Sequence, residues 1–291
     1  MKPGYHNPVV PERGVLFLAI RTILMHLTAE ASAKARLEVG IALAHRFSAH
    51  LDIVFNVRPA HIPAASAGRG AYVHYMTEAI NNAHQMAGEI AHGIDTCCKG
   101  LSWSWGVVNE EHSIPLKARA NTSDLLILPS APMTYFEDHF RWHLADCMAV
   151  DSACPTLVLP EGYVCSGDMG RHILLPWRDC RETARAIKDA MPFLEQAEKV
   201  TLLTVSRKME TPPDVQGISD FLVRHGVDVD VRHVAFRWRN AGRAIMAFAE
   251  DNGCDLVVMG AYSTSRTWQV LFGGATRYII RHLSLPVIMS H

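Results

Sequence analysis

At 291 residues the chain is long enough for two domains, each able to bury a core of its own. Its 28 Lys plus Arg against 29 Asp plus Glu leave a formal net charge of −1, which excludes the broad field needed to hold nucleic acid or an anionic membrane surface. No apolar run approaches the roughly eighteen residues of a membrane span, and the opening MKPGYHNPVVPERG has no signal-peptide core. A cytoplasmic protein is expected, with its seven scattered cysteines reduced because they form no CxxC pair and no regular framework.

In chain order, the apolar run VLFLAI (15–20) predicts a first strand, followed by a long helix over about 28–48. LDIVFNV (51–57) predicts the second strand, and a second long helix covers about 71–99. LSWSWGV (101–107) predicts a third strand whose one face carries both Trp103 and Trp105, a pattern that suits packing under a helix or against another domain. A short helix, DLLIL (124–128) and PTLVLP (155–160) complete this half, and the Gly-rich stretch EGYVCSGDMG (161–170) reads as a linker.

The remainder repeats the order, with strands expected at 172–177, 200–206, 228–234, 255–260 and 285–290. Ala241, Ala244, Ile245, Phe248 and Ala249 fall at helical spacing between the third and fourth of these, and Gly253 ends that helix. Strands alternating with helices indicate parallel sheets built from βαβ units. A register argues for duplication: Asp124 opens DLLILP and Asp255 opens DLVVMG, and from each the same thirty-one residues lead to the proline of the last strand, Pro155 and Pro286. Two domains are expected, 1–162 and 170–291, each an α/β doubly wound five-stranded parallel sheet.

Ligands of such sheets sit beyond the carboxyl ends of the strands, where strand order reverses. Two loops of the second half reach that place: Pro176-Trp177-Arg178-Asp179-Cys180, and Gly260-Ala261-Tyr262-Ser263, nine residues, then Gly273-Gly274-Ala275-Thr276 at a helix start. Glycines admit close backbone approach, and Thr276 with the helix N-terminus adds donors and partial positive charge, the makings of an anion site. Neither GxxxxGK[ST] nor GxGxxG is present.

The run DLVVMGAYSTSRTWQVLFGGATRYIIRHLSLPVIMSH, with HILLPWRDCRETARAI ahead of it, resembles the universal stress protein family. That family carries Gly-x-x-Gly, nine residues, then Gly-Ser/Thr. The first half is similar in layout and in DLLILP to CPTLVLP, so the tandem form is implied, with the final strands of the two halves meeting across a pseudo-twofold axis as a pseudo-dimer. The resemblance implies stress-associated binding or signalling without catalysis, and ATP or another adenine nucleotide as ligand of the second half. Carried over by position, its binding places are Gly260, Ser263, Gly273, Gly274, Arg178 and Val205, with Pro176, Trp177, Asp179, Ala275 and Thr276 flanking them. Ser263 replaces the second glycine, Gly274 the Ser/Thr, and Arg178 the acidic residue that meets the ribose. A guanidinium donates to a phosphate but accepts from no hydroxyl, so Asp179 is the neighbouring substitute. Pro129 and Trp142 stand at the first half's counterparts of Gly260 and Gly273, so no phosphate is expected there.

A ligand-free protein-interaction module of the same fold, with an unidentified protein partner or a second copy of the chain as associate, is the alternative. A nucleotidyl transferase or ATP pyrophosphatase is disfavoured because PWRDCRE supplies no HIGH-like or SGGxD-like motif. No metal is expected, since His139 and His143 lack a third ligand at family spacing. No GxSxG elbow supports Ser-His-Asp catalysis. Cys180, at a helix head, is read as a small capping residue before a reactive thiol. Adjacent Cys97 and Cys98 point to different faces of a helix and read as packing.

Overall fold

The computed structural model describes residues 19–58, 68–130, 144–164, 169–207, 213–236, 241–261 and 274–291. Five strands of the first half, β1 (Thr22–Thr28), β2 (His50–Asn56), β3 (Trp103–Val108), β4 (Leu125–Pro129) and β5 (Thr156–Leu159), stand in the order β3-β2-β1-β4-β5. The second half repeats that order with β6 (His172–Trp177), β7 (Lys199–Arg207), β8 (Asp230–Phe236), β9 (Leu256–Gly260) and β10 (Val287–Ser290). Within each half the pairing is parallel. The halves join where β5 and β10 pair antiparallel, Val287 opposite Val158 and Ile288 opposite Leu157, to give one ten-stranded sheet. The two doubly wound five-stranded sheets and the meeting of the last strands are as the sequence implied.

One strand is displaced from its expected place. The first strand is Thr22–Thr28, not VLFLAI at 15–20, of which residues 15–18 lie outside the described residues. Position is set by Asp124, whose Oδ2 accepts from the backbone N–H of Arg21 and of Thr22 at 2.8 Å each. The long helix correspondingly starts later, at Ala33 instead of about 28.

The helices of the first half are α1 (Ala33–Phe47), α2 (Gly68–Cys97), α3 (Ser113–Ala120) and α4 (Leu144–Asp151). Those of the second are α5 (Arg181–Asp189), α6 (Met191–Leu194), α7 (Gln216–Arg224), α8 (Ala241–Asp251) and α9 (Gly274–Arg281). Strand side chains alternate between two layers. Ile23, Met25, Leu27, Ile173 and Leu175 join one core with residues of α1, α2, α5, α6 and α7, and it runs unbroken through both halves. Leu24, Val54 and Leu126 meet α3 and α4 on the other face, where Leu174, Val257 and Met259 meet α8 and α9. Trp103 and Trp105 pack against the first of these cores, so their shared face is a packing face. Buried positions of α8 are Gly242, Ile245, Met246 and Ala249, a stripe turned slightly from the expected one, and Gly253 stops the helix at φ +65°. Among the described residues, no helix is long and apolar enough to cross a membrane.

Candidate functional site

Strand β6 lies between β7 and β9, so the chain leaves it toward one side and returns on the other, and a crevice opens at its carboxyl end. Pro176 is buried and Trp177 half-buried on opposite faces of that end, while Arg178 and Asp179 stand exposed just beyond it. The indole Nε1 of Trp177 donates to the Asp214 carbonyl at 3.2 Å and ties the strand end to the approach to α7. Val205, half-buried near the end of β7, pairs with Val234 on β8.

Two helices begin at this crevice. Helix α5 follows Cys180, whose Sγ lies 3.2 Å from Thr183 Oγ1 and gives the helix head no side-chain cap. Gly260 fixes how closely α5 approaches: a Cβ there would fall 2.6 Å from the Glu182 carbonyl carbon and from the Thr183 nitrogen. Its glycine character therefore serves a backbone contact. Glu182, 2 % exposed, places an acid in the first turn, where it complements the positive end of that helix.

The second helix, α9, starts at Gly274 and has no acid in its first turn. Gly242 of α8 seats it, since a Cβ at that position would lie 2.7 Å from the Ala275 carbonyl oxygen. A Cβ at Gly274 would meet nothing within 4 Å among the described residues. Thr276 is buried, at 5 % exposure, and Ala275 is half-buried. A helix head beside the strand ends with no acidic side chain in its first turn offers backbone N–H groups to an anion.

The structure thus brings Pro176, Trp177, Arg178, Asp179, Val205, Gly260, Gly274, Ala275 and Thr276 to one edge of the sheet. Ser263 and Gly273 lie outside the described residues, as do Trp142, His139 and His143. Sequence reasoning missed Glu182 and Gly242. An acid early in an amphipathic helix and a glycine inside one were the available signals. Among the described residues no group of three or more His, Cys, Asp or Glu side chains is arranged to hold a metal.

At the first half's counterpart, polar side chains fill the edge. Arg36, 3 % exposed, pairs with Glu30 through its Nη2, and its Nε donates to the His26 carbonyl at 3.1 Å. Thr28 Oγ1 donates to the same Glu30 carboxylate at 2.9 Å. Burial lowers the Arg36 pKa from its ordinary value, against the opposing pull of Glu30. Pro129 ends β4 where Gly260 ends β9.

Residues 169–291 match the model of the universal stress protein family. Over the whole chain the fold is similar to that of a universal stress protein from Archaeoglobus fulgidus DSM 4304, with TM-score 0.68, 13% identity and coverage of 94% of this chain and 97% of that one. It is also similar to a protein of Pseudomonas aeruginosa UCBPP-PA14 provisionally named a universal stress protein, with TM-score 0.57, 16% identity and coverage of 94% and 93%. No curated protein matches the chain.

Proposed function

We propose that this chain, whose residues 169–291 form a universal stress protein domain, is a stress-associated binding protein that takes an adenine nucleotide, ATP or ADP, at the crevice of its second half. The observation that carries the reading is the head of α9, open at Gly274 and free of acidic side chains in its first turn, at the point where strand order reverses. Phosphates would lie against that helix head, with Arg178 as the donor at the end of β6. The bulk of Trp177, Pro176 and Val205 supplies apolar surface for a base. The reading is of binding without turnover, in the cytoplasm, with the polar-filled first half as a structural partner.

A second reading is an interaction module that holds no nucleotide. Ser263, Gly274 and Arg178 at the three altered positions support it, as does the buried Glu182 carboxylate at the neighbouring helix head. Its associate would be another protein or a second copy of the chain.

Thermal unfolding with and without millimolar ATP and ADP separates the two. Ligand at a hundred times its dissociation constant adds about 2.7 kcal/mol, a midpoint shift of a few degrees. Gly273→Val is expected to remove that shift while leaving the ligand-free midpoint near the parent's. No shift in the parent, and no nucleotide in mass spectra of the purified chain, selects the interaction module.

A further inference from the structure

The connection from β3 to α3, residues 109–112, meets the end of β2 at Asn56 and β1 at His26. Two side chains rising from those strand ends hold it. Asn56, fully buried at the end of β2, donates from Nδ2 to the Glu110 carbonyl at 3.1 Å. His26, 1 % exposed near the end of β1, shares a hydrogen bond between its Nε2 and Nδ1 of His112 at 3.0 Å, the rings meeting edge to face with 5.1 Å between centroids. His112 is the residue that precedes α3, so this contact also anchors the head of that helix.

The surroundings of His26 are apolar. It follows Leu24 on the same face of β1 and lies beside Val54 of β2, and both belong to the core that Leu116 of α3 and Met148 of α4 complete. Its Nδ1 has no hydrogen-bond partner among the described residues. The charged groups that act on it are Arg36, from α1, and His112, and both oppose a positive charge. Glu30 is engaged by Arg36 and Thr28. Further titratable groups on those elements are Lys117 and Arg119 on α3, paired with Asp151 and Asp52 respectively, Asp146 and Cys147 on α4 and Cys154 ahead of β5; burial raises both thiols, Cys154 to about 12, so neither thiol carries charge near neutrality. Glu110 and Glu111 lie in the connection itself and are exposed.

We propose that the first half contains a proton-operated strap: the neutral His26–His112 pair holds residues 109–112 and the head of α3 over the strand ends, and protonation of the pair releases them. The 3.0 Å contact needs one ring nitrogen donating and the other accepting, so at least one of the two rings must be neutral. A proton added to His26 places a charge in an apolar pocket that Arg36 already makes positive, and protonation of both rings puts donor against donor. Burial, reinforced by His112 and Arg36, holds the His26 pKa well below the ordinary histidine value, so the closed form is the one present at neutral pH. Release lets His26 reach water only if the connection moves, because the strand itself is pinned between β2 and β4.

The test is amide hydrogen exchange on the full chain at pH 7.5 and 5.5, corrected for intrinsic rates, together with NMR titration of the imidazoles. Protection of residues 109–116 is expected to fall at least tenfold at the lower pH while the amides of β2 and β4 keep theirs. In His112→Gln and in His26→Gln an amide replaces one imidazole and takes up no proton while the other ring still titrates, and the ratio of exchange rates of that segment between the two pH values is expected to fall at least threefold below the parent's. His112 is only half-buried, so its variant folds even where the substitution in the strand does not. Equal corrected exchange of the parent at both pH values overturns the proposal, and so does a pH dependence in His112→Gln as large as the parent's.

Discussion

Asp124 and Asp255 hold the same post in the two halves, each accepting from the backbone that enters the central strand. Asp124 Oδ2 takes the N–H groups of Arg21 and Thr22 at 2.8 Å. Asp255 takes those of Gly170 and Arg171 at 2.9 Å, one through each oxygen, and that of His172 at 3.2 Å. A carboxylate receiving two or three backbone donors sets the register of β1 against β4 and of β6 against β9. Replacing either by alanine leaves the donors to water, and charge-assisted bonds of this kind contribute on the order of 1.5–3 kcal/mol. Asp255→Ala is expected to cost the larger share in urea unfolding, since Asp255 is half-buried while Asp124 is exposed.

Gly260 and Gly274 separate a glycine pressed against backbone from one whose Cβ position is open among the described residues. Gly260→Ala forces a Cβ to within 2.6 Å of the α5 backbone, and overpacking of that kind costs about 1–3 kcal/mol. Gly274→Ala meets nothing within 4 Å, so its expected effect on the unfolding midpoint is small. If the proposed anion site is used, the same Gly274→Ala variant weakens nucleotide binding several-fold, because the methyl group enters the open space at the helix head. Denaturant midpoints and nucleotide titrations of the two variants check the contrast.

Thiol reactivity is expected to follow burial. Among the cysteines of the described residues, the solvent-exposed Cys97 reacts first with iodoacetamide near pH 8. Burial pushes Cys154 up to about 12 and Cys254 up to about 11, so their thiolate fractions near neutrality are negligible. A mass-spectrometric time course is expected to find these two unmodified while Cys97 is fully alkylated.

Stability is expected to fall on mild acidification. His26 and His172 are both lowered from the ordinary histidine value, chiefly by burial, His172 also by Lys199. The unfolded chain therefore takes up protons first as pH drops below about 6.5, and the stability present above that value is lost until the folded pKa values are reached. Urea midpoints at pH 7.5 and 5.5 check the sign, and His26→Leu is expected to flatten the difference.

How much of this was readable in the residues can be judged element by element. The Asp-to-Pro spacing revealed the duplication because it copies a physical unit, a register-setting carboxylate and the last parallel strand, while the β5–β10 junction was implied by the family resemblance and not by the spacing. The first strand was misplaced because VLFLAI and TILMHLT are both apolar, and hydropathy alone does not choose between them. The parallel between Arg21-Thr22-Ile23-Leu24 and Arg171-His172-Ile173-Leu174 was the signal that decides it.

Local pattern by itself determined the strand and helix succession, the parallel sheets and the crevice to which Pro176–Asp179 and Gly260 belong, since periodicity and turn residues act between near neighbours. Only the tertiary structure decided that Gly260 serves the α5 backbone, that Gly242 seats α9, and that Arg36, Glu30 and the His26–His112 pair fill the first half's edge. Those roles depend on distances between residues far apart in the chain, and a polar residue in a strand sequence does not announce which buried partner will meet it.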